Sequence, residues 1–228
     1  AYNYHKQMIG SGSSWSTSDG QQMLWDAERT PVTMIAYAPF MSEATPDASL
    51  TVNALTNQST EENVKSSDFL LMKATVDPEQ DLTADGKLKI SLNHAMSKLI
   101  IKITVNGTTD ASMSKLGDMA INGAVVNATC DLSAAAPVVV PAADAVVATV
   151  APYKGTESCE CILPPQKIAE GFSVNFSYDG KLYIWTAKEA IELEKGVEHT
   201  LTLNVNTTVR LAAKVARNWA TGQLIDRN

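Results

Sequence analysis

The three histidines are the first residues in this 228-residue chain that could carry chemistry. His5, His94 and His199 lie far apart in sequence, and none belongs to a His-Glu-x-x-His zinc pattern. Strict alternation with Leu92 and the apolar residues before it predicts that His94 lies on the apolar face of a strand. A polar ring on such a face needs a fixed hydrogen-bond partner, which is commonly a backbone group. We therefore expect His94 to be buried and structural rather than catalytic.

An acidic segment offers a second possibility, a calcium loop. Asp77, Glu79 and Asp81 have the spacing of the first three ligands of such a loop. The sixth position should be glycine and is Leu82, and the twelfth should be glutamate and is Leu88. The segment is therefore interpreted as a solvated acidic loop, and no metal or other cofactor is predicted.

The cysteines do not form a recognisable site. Three residues, Cys130, Cys159 and Cys161, cannot all pair within one chain. Cys159 and Cys161 share one face if the segment is a strand, but no second Cys or His pair supplies the other two ligands of a zinc site. We interpret them as free or partly paired thiols.

Tryptophans could bind sugars, because aromatic faces stack on pyranose rings. Four are available, at Trp15, Trp25, Trp185 and Trp219, although a core or edge-covering role is the commoner use of such residues. The sequence contains no G-x-S-x-G, G-x-G-x-x-G or phosphate-loop motif. No catalytic set can be assembled, so the chain is predicted not to be an enzyme.

Composition excludes further classes of protein. The chain has 18 basic and 25 acidic side chains, a formal net charge of −7, and 45% hydrophobic residues. An acidic balance argues against nucleic-acid binding, which needs clustered Lys and Arg. No apolar stretch approaches the about 18 residues of a membrane span. The chain is globular, with one large domain or two small ones.

The elements that must position any site are strands. Apolar residues alternate from Leu99 to Val105, from Phe172 to Tyr178 and from Leu201 to Val205. Asp179-Gly180 is a hairpin signal. The apolar parity changes across residues 95–98, which indicates a bulge or tight corner. Helical periodicity is weak, and under a tenth of the residues should be helical. The pattern predicts an all-β sandwich.

A polar stretch at Asn106–Ser112 gives the best internal boundary. It predicts two β-sandwich domains, 1–107 and 108–228, each of about one hundred residues.

Several short motifs occur in an order that resembles a known family, the fimbrillins, which include the type V pilins and related surface lipoproteins of the Bacteroidetes. These motifs run from about Tyr2 to Trp219 and are Met34–Pro39, Asp68–Ala74, Ile90–Ile103 with His94 at its centre, Leu163–Gln166, Lys195-Gly196, His199–Val205 and Trp219.

This resemblance implies a fold and a function. The expected fold is two tandem transthyretin-like Greek-key β-sandwiches, with His94 and Trp219 as structural residues. The expected role is that of a non-enzymatic subunit of a cell-surface fimbria. Family members are exported through the periplasm as lipoproteins, so membrane contact would be through a lipid anchor on the precursor at the outer membrane. A protease then removes the first strand, and a strand from the next subunit fills the groove.

The two ends of the sequence bear on that assembly. The lipoprotein cysteine and the early Gly-Asp strand of the family are absent, so we expect Ala1 to lie within the first domain. The first sandwich should then accept a donor strand. Leu224 and Ile225 are the only apolar pair beyond Trp219, which makes the tail a possible but poorer donor.

A glycan-binding surface module of an outer-membrane uptake system is the alternative. Clustered, exposed tryptophans beside acidic side chains would favour it, whereas an open groove along a sheet edge would favour the fimbrial subunit. Expected partners are other fimbrial subunits, and a host protein or glycan.

Overall fold

The computed structural model describes residues 5–11, 14–107, 109–206, 211–215 and 222–224. The strands of its first half are β1 (Met8–Ser11), β2 (Ser14–Thr17), β3 (Val32–Ala38), β4 (Ser49–Asn53), β5 (Leu70–Val76), β6 (Asn93–His94), β7 (Ser97–Val105) and β8 (Thr109–Asp110). The strands that follow are β9 (Leu116–Val125), β10 (Asn127–Asp131), β11 (Val139–Pro141), β12 (Val147–Val150), β13 (Tyr153–Lys154), β14 (Cys159–Leu163), β15 (Gln166–Ile168), β16 (Ser173–Tyr178), β17 (Lys181–Ala187), β18 (Ile191–Leu193), β19 (Glu198–Val205), β20 (Leu211–Val215) and β21 (Gly222–Leu224).

Helix is confined to two short segments among these residues. They are α1 (Glu61–Ser66) and a 3-10 turn at Met113–Lys115. The all-β prediction is confirmed.

Contacts divide the chain into two compact units whose boundaries differ from the predicted ones. Unit 1 comprises Ala1–Leu50, Leu70–Asn93 and Asp131–Pro137, and unit 2 comprises Thr51–Phe69, His94–Cys130 and Val138–Asn228. The contact-based units do not divide at residue 107, and the two predicted domains remain a prediction. A division at residue 107 would separate β7 from its neighbours β14 and β19, which pair with β7 in one sheet.

Unit 2 contains two large sheets. One has the strand order β12-β9-β16-β17-β21, and the other has the order β13-β14-β7-β19-β20 with β8 also paired to β7. β7 and β19 run parallel over eight residues, whereas β7 and β14 are antiparallel. The long β7–β19 pair joins the two halves of the sequence in one sheet.

The alternation predicted for the strands of unit 2 is confirmed. Leu99, Ile101 and Ile103 of β7 and the alternating apolar positions of β16 and β19 are buried, and their polar neighbours are less so. Ala95, Met96 and Ser97 are buried in succession, where the predicted change of parity falls. Asp179 and Gly180 both have positive φ, at 51° and 76°, as a two-residue hairpin between β16 and β17 requires.

Two glutamine side chains act as substitutes for strand partners in unit 2. The Gln58 amide is fully buried; it donates to the Ile162 carbonyl and accepts from the Ile162 amide, both at 2.8 Å. Gln166 pairs in the same way with Val125, at 2.9 and 3.0 Å. Each side chain satisfies a peptide group at a strand edge, which would otherwise lose its hydrogen bonds.

Unit 1 contains the β1–β2 hairpin and the antiparallel β3–β5 pair. The strand expected before residue 95 is largely absent, because only Asn93–His94 is extended in a ladder. The apolar face predicted there is not buried, and Ile90 is exposed. A period-two pattern needs a partner strand and a covering layer before it becomes a buried face.

Candidate strand-acceptor edge

The candidate acceptor edge in unit 1 belongs to β3. The sheet order is β3-β5-β6, which leaves β3 at the end of the sheet. β3 pairs with β5 over seven residues, from Val32–Val76 to Ala38–Leu70, without a break in register. In an antiparallel pair, every second residue of an edge strand directs its N–H and C=O away from the partner. Residues 32–36 therefore present backbone groups on the outer side of the sheet.

The sequence of β3 itself carries neither of two features that usually prevent strand pairing, a charge or a proline. Natural edges are protected by lysines, prolines, bulges or a covering element. The β3 sequence, Val-Thr-Met-Ile-Ala-Tyr-Ala, contains no charge and no proline. By contrast, the edge strand β12 in unit 2 has a register shift between Ala148 and Thr149. β3 is thus an uncharged strand of seven residues with an unbroken register to β5.

The apolar side chains of unit 1 are also incompletely covered. None of the residues of β3 is buried. Among the described residues, the buried apolar side chains of unit 1 are Ala44, Leu50, Leu71, Val76 and Leu132, whereas unit 2 holds all the others. The large exposed apolar side chains of unit 1 are Ile9, Trp15, Met23, Leu24, Val32, Phe40 and Ile90. Burial of such side chains stabilises by roughly 25 cal/mol per Å², so an added strand that covered them would stabilise the unit.

The possible donor tail lies on the chain's own sheet. Leu224 is in β21, which pairs with β17 so that Leu224 is opposite Trp185. Among the described residues, this contact comprises three residue pairs. Ile225 and Trp219 lie outside the described residues. The donor role of Leu224 and Ile225 and the structural role of Trp219 remain predictions.

His94 is not the buried residue that the sequence predicts. Its side chain is 67% exposed, so the prediction of burial is wrong. Its Nδ1 lies 2.6 Å from Oδ2 of Asp68, whose side chain is only 16% exposed. The Ala95 amide donates to the Phe69 carbonyl at 2.8 Å, which brings the two residues together. His94 thus has the expected fixed partner, but at the surface and from a side chain.

His199 is the histidine that is buried, at 2% exposure. Its Nε2 accepts a hydrogen bond from the Glu194 amide at 2.9 Å, and this bond closes the turn before β19. His199 occupies an apolar position in β19, because it is in phase with Leu201 and Leu203. That phase was the signal in the sequence that could have identified it.

The tryptophans do not form an exposed cluster among the described residues. Trp185 is fully buried and packs edge-on against Phe172, with ring centroids 6.1 Å apart. Trp25 donates from Nε1 to the Thr30 carbonyl at 2.7 Å. Trp15 is 60% exposed in the β1–β2 hairpin. The aromatic sugar platform is therefore not assembled by Trp15, Trp25 and Trp185.

The acidic loop and the cysteines have structural explanations. Asp81 accepts from the Asp77 amide at 2.7 Å, and Asp77 accepts from the Glu79 amide at 3.0 Å, so the carboxylates bind their own loop. Cys159 and Cys161 lie buried on one face of β14. Burial raises the pKa of the Cys159 thiol to about 11. In the described part of the chain, no three His, Cys, Asp or Glu side chains group as a metal site.

Comparison with solved structures supports the fold. A candidate cell adhesion protein from Bacteroides uniformis superimposes with a TM-score of 0.63 at 17% identity, covering 93% of this chain and 79% of that one. A candidate cell adhesion protein from Bacteroides ovatus gives 0.61 at 16% identity, with 96% and 75% covered. A fimbrial protein from Bacteroides ovatus gives 0.54 at 18% identity, covering 94% of this chain but 45% of that one.

No curated protein matches the sequence significantly. No helix in the described ranges is long and apolar enough to cross a membrane. The sequence profile of the Fimbrillin-like family matches residues 1–219, which is nearly the whole chain. The all-β architecture agrees with this match, and the match over nearly the whole chain leads to one assignment: the chain belongs to the fimbrillin-like family.

Proposed function

We propose that this protein is a structural or adhesive subunit of a cell-surface fimbria, and that β3 accepts a donor strand from a neighbouring subunit. The open edge of β3 carries the proposal. It combines outward-facing backbone groups along residues 32–36 with partly exposed apolar side chains on both faces. A donor strand would supply hydrogen bonds to these backbone groups and would cover the apolar side chains.

Donation would use the C-terminal segment that contains Leu224 and Ile225. Within the described residues β21 pairs with β17 through three residue pairs, and release of these three pairs would free the segment. A longer pairing with the seven-residue β3 of another subunit would replace them. Exchange of a short internal contact for a longer intermolecular one favours assembly.

Export as a lipoprotein through the periplasm, with a lipid anchor on the precursor at the outer membrane, belongs to the same proposal. It rests on the family assignment. A non-enzymatic role is part of it as well. His94 contacts Asp68, and His199 accepts from the Glu194 amide, so neither contact involves a serine or cysteine.

Adjacent proline substitutions can test the acceptor edge. Along β3, the amide of one residue points to β5 and that of the next points outward. Of Ile35→Pro and Ala36→Pro, one must therefore remove a β5 hydrogen bond, while the other removes only a bond to the donor. The probe is a synthetic peptide of residues 211–228, added to the purified chain while peptide binding and Tm are measured.

We expect the wild-type chain to bind the peptide and gain about 2.7 kcal/mol of stability at one hundred times Kd. One proline variant should keep the wild-type Tm without peptide and lose binding, whereas the other should melt at lower temperature. Leu182→Pro, in an exposed part of β17, is the matched control and should keep binding at β3. No binding by the wild type, or binding that survives both β3 prolines, would contradict the proposed edge.

A further inference from the structure

A second surface feature of unit 2 is the outer face of the sheet formed by β4, β10 and β11. Along β4, Leu50 and Val52 are buried, so Thr51 and Asn53 point outward. Along β10 the same alternation buries Ala128 and Cys130. The outward residues there are Asn127 and Thr129.

The register places these outward residues in two cross-strand rows. The Ala54 amide donates to the Val126 carbonyl at 2.9 Å, so Asn53 is opposite Asn127 and Thr51 is opposite Thr129. Thr129 in turn pairs with Val140 of β11. One row is therefore threonine, threonine and valine, and the other begins with two asparagines.

These rows form the floor of a cleft of about 350 Å³. Its rim is closed by Asp144, which follows β11 in a turn held by the Ala145 amide and the Ala142 carbonyl at 3.0 Å. The Ala142 amide donates to the Asn127 carbonyl at 3.1 Å and fixes this turn against β10. The cleft is thus built on paired strands and a hydrogen-bonded turn, and its size matches one small molecule.

Most of the hydrogen-bonding capacity of the cleft is unused. Asn127 Nδ2 and Asn53 Oδ1 are 3.4 Å apart, which leaves the other amide donors and acceptors available. The side chains of Thr51, Thr129 and Asp144 make no hydrogen bond to the residues that the structure describes. Amide, hydroxyl and carboxylate groups therefore converge on one space from three segments of the chain.

Charge selects the class of ligand. Among the residues that the structure describes, no lysine, arginine or histidine lines the cleft, and Asp144 would repel an anion. One carboxylate with neutral amides is a poor match for a divalent cation, which prefers several oxygen ligands with charge. What remains is a neutral ligand rich in hydroxyl groups. The exposed Val140 beside Thr129 offers apolar surface for the C–H groups of such a ligand.

We propose that this cleft binds a neutral hexose unit of a glycan. The proposal extends the adhesive part of the proposed function, because a subunit exposed on a fimbria could hold a glycan through this site. It differs from the tryptophan platform expected from the sequence, since its polar contacts come from strand side chains and its apolar contact from a valine.

Titration with methyl glycosides of glucose, galactose, mannose and N-acetylglucosamine, followed by NMR of the full chain, tests the proposal. At least one should bind with Kd on the order of 1 mM. Loss of one hydrogen-bonding group should weaken binding by on the order of tenfold, in both Asn127→Ala and the fully surface-placed Asp144→Ala. Asn175→Ala, an exposed asparagine on β16, is the matched control and should bind as the wild type does.

Three results would overturn the site. They are no binding of any of these glycosides, wild-type affinity in both cleft variants, and loss of binding on adding a metal chelator, which would make it a cation site. Retention of the wild-type Tm separates loss of binding from misfolding. The β3 proline variant that keeps its Tm should still bind the glycoside, and Asn127→Ala should still bind the 211–228 peptide. Failure of one proposal is thereby distinguished from failure of the other.

Discussion

Replacing Gln58 by methionine should strongly destabilise unit 2. The Gln58 amide is completely buried and makes three hydrogen bonds of 2.8 Å, to the Leu55 carbonyl and to both peptide groups of Ile162. Methionine keeps a similar volume but has no strong donor or acceptor. The substitution therefore isolates the loss of the hydrogen bonds from the loss of packing.

The magnitude follows from the groups left without partners. Each buried peptide group that loses its partner costs about 1–3 kcal/mol, and three are affected. Partial relaxation of the backbone places the total near the lower half of that sum, at about 3–5 kcal/mol. For a protein of this length, 1 kcal/mol shifts Tm by about 2–4 °C, so Tm should fall by roughly 6–20 °C.

Thermal and urea unfolding, followed by circular dichroism, measure the change. Gln80→Met is the control, because Gln80 is exposed and its amide binds only Asp77. Gln58→Glu should be destabilised at pH 7, where a carboxylate would face the Ile162 carbonyl, and should recover partly at low pH when it is protonated. If Tm falls by less than about 3 °C in Gln58→Met, the view that this amide replaces a strand partner is refuted.

Three further experiments test the local geometry. Gly123→Ala should lower the free energy of unfolding in urea by more than about 2 kcal/mol, because φ is +92° and the new Cβ would lie 2.5 Å from a backbone oxygen. Gly180→Ala, where the new Cβ would meet open space, should lower it by about 1 kcal/mol, and equal losses would contradict this. Cys159 should not react with a thiol reagent at pH 8 until the protein unfolds, because burial raises its pKa to about 11. Reaction at the rate of a free thiol would show that this face of β14 is not buried. His94→Ala should lower the free energy of unfolding by less than about 1 kcal/mol, because His94 is exposed. His199→Ala should lower it by about 2–4 kcal/mol, because His199 is buried, and similar values for the two would contradict the assigned burial.

Strands and hairpins could be predicted from the sequence because their signals are local. The apolar alternation of β16 and the Asp179-Gly180 turn lie within one short segment, and the structure confirms both. The same reasoning failed at His94. Alternation shows which side chains share a face, but a face becomes buried only when another layer covers it, and Ile90 before His94 is exposed in this structure.

The candidate sites depend on contacts between segments that are distant in sequence. Gln58 meets Ile162 across 104 positions, and Asn53 meets Asn127 across 74. Neither pairing follows a motif, because an asparagine or glutamine in a strand region has no spacing that identifies its partner. The sequence could identify Pro164-Pro165-Gln166 as a motif of the family, but not that the Gln166 amide binds Val125.

By itself, the sequence determined the all-β class, the positions of the principal strands of unit 2 and, through its motifs, the fimbrillin-like family. These follow from local periodicity, turn residues and motif order, which do not depend on which strands become neighbours. Only the tertiary structure decided the pairing of β7 with β19, the division into units, the open edge of β3 and the cleft at Asn53 and Asn127. Each of these depends on strand order and register. Backbone hydrogen bonds are the same at every residue and therefore permit many strand orders, and the burial of particular side chains selects one of them.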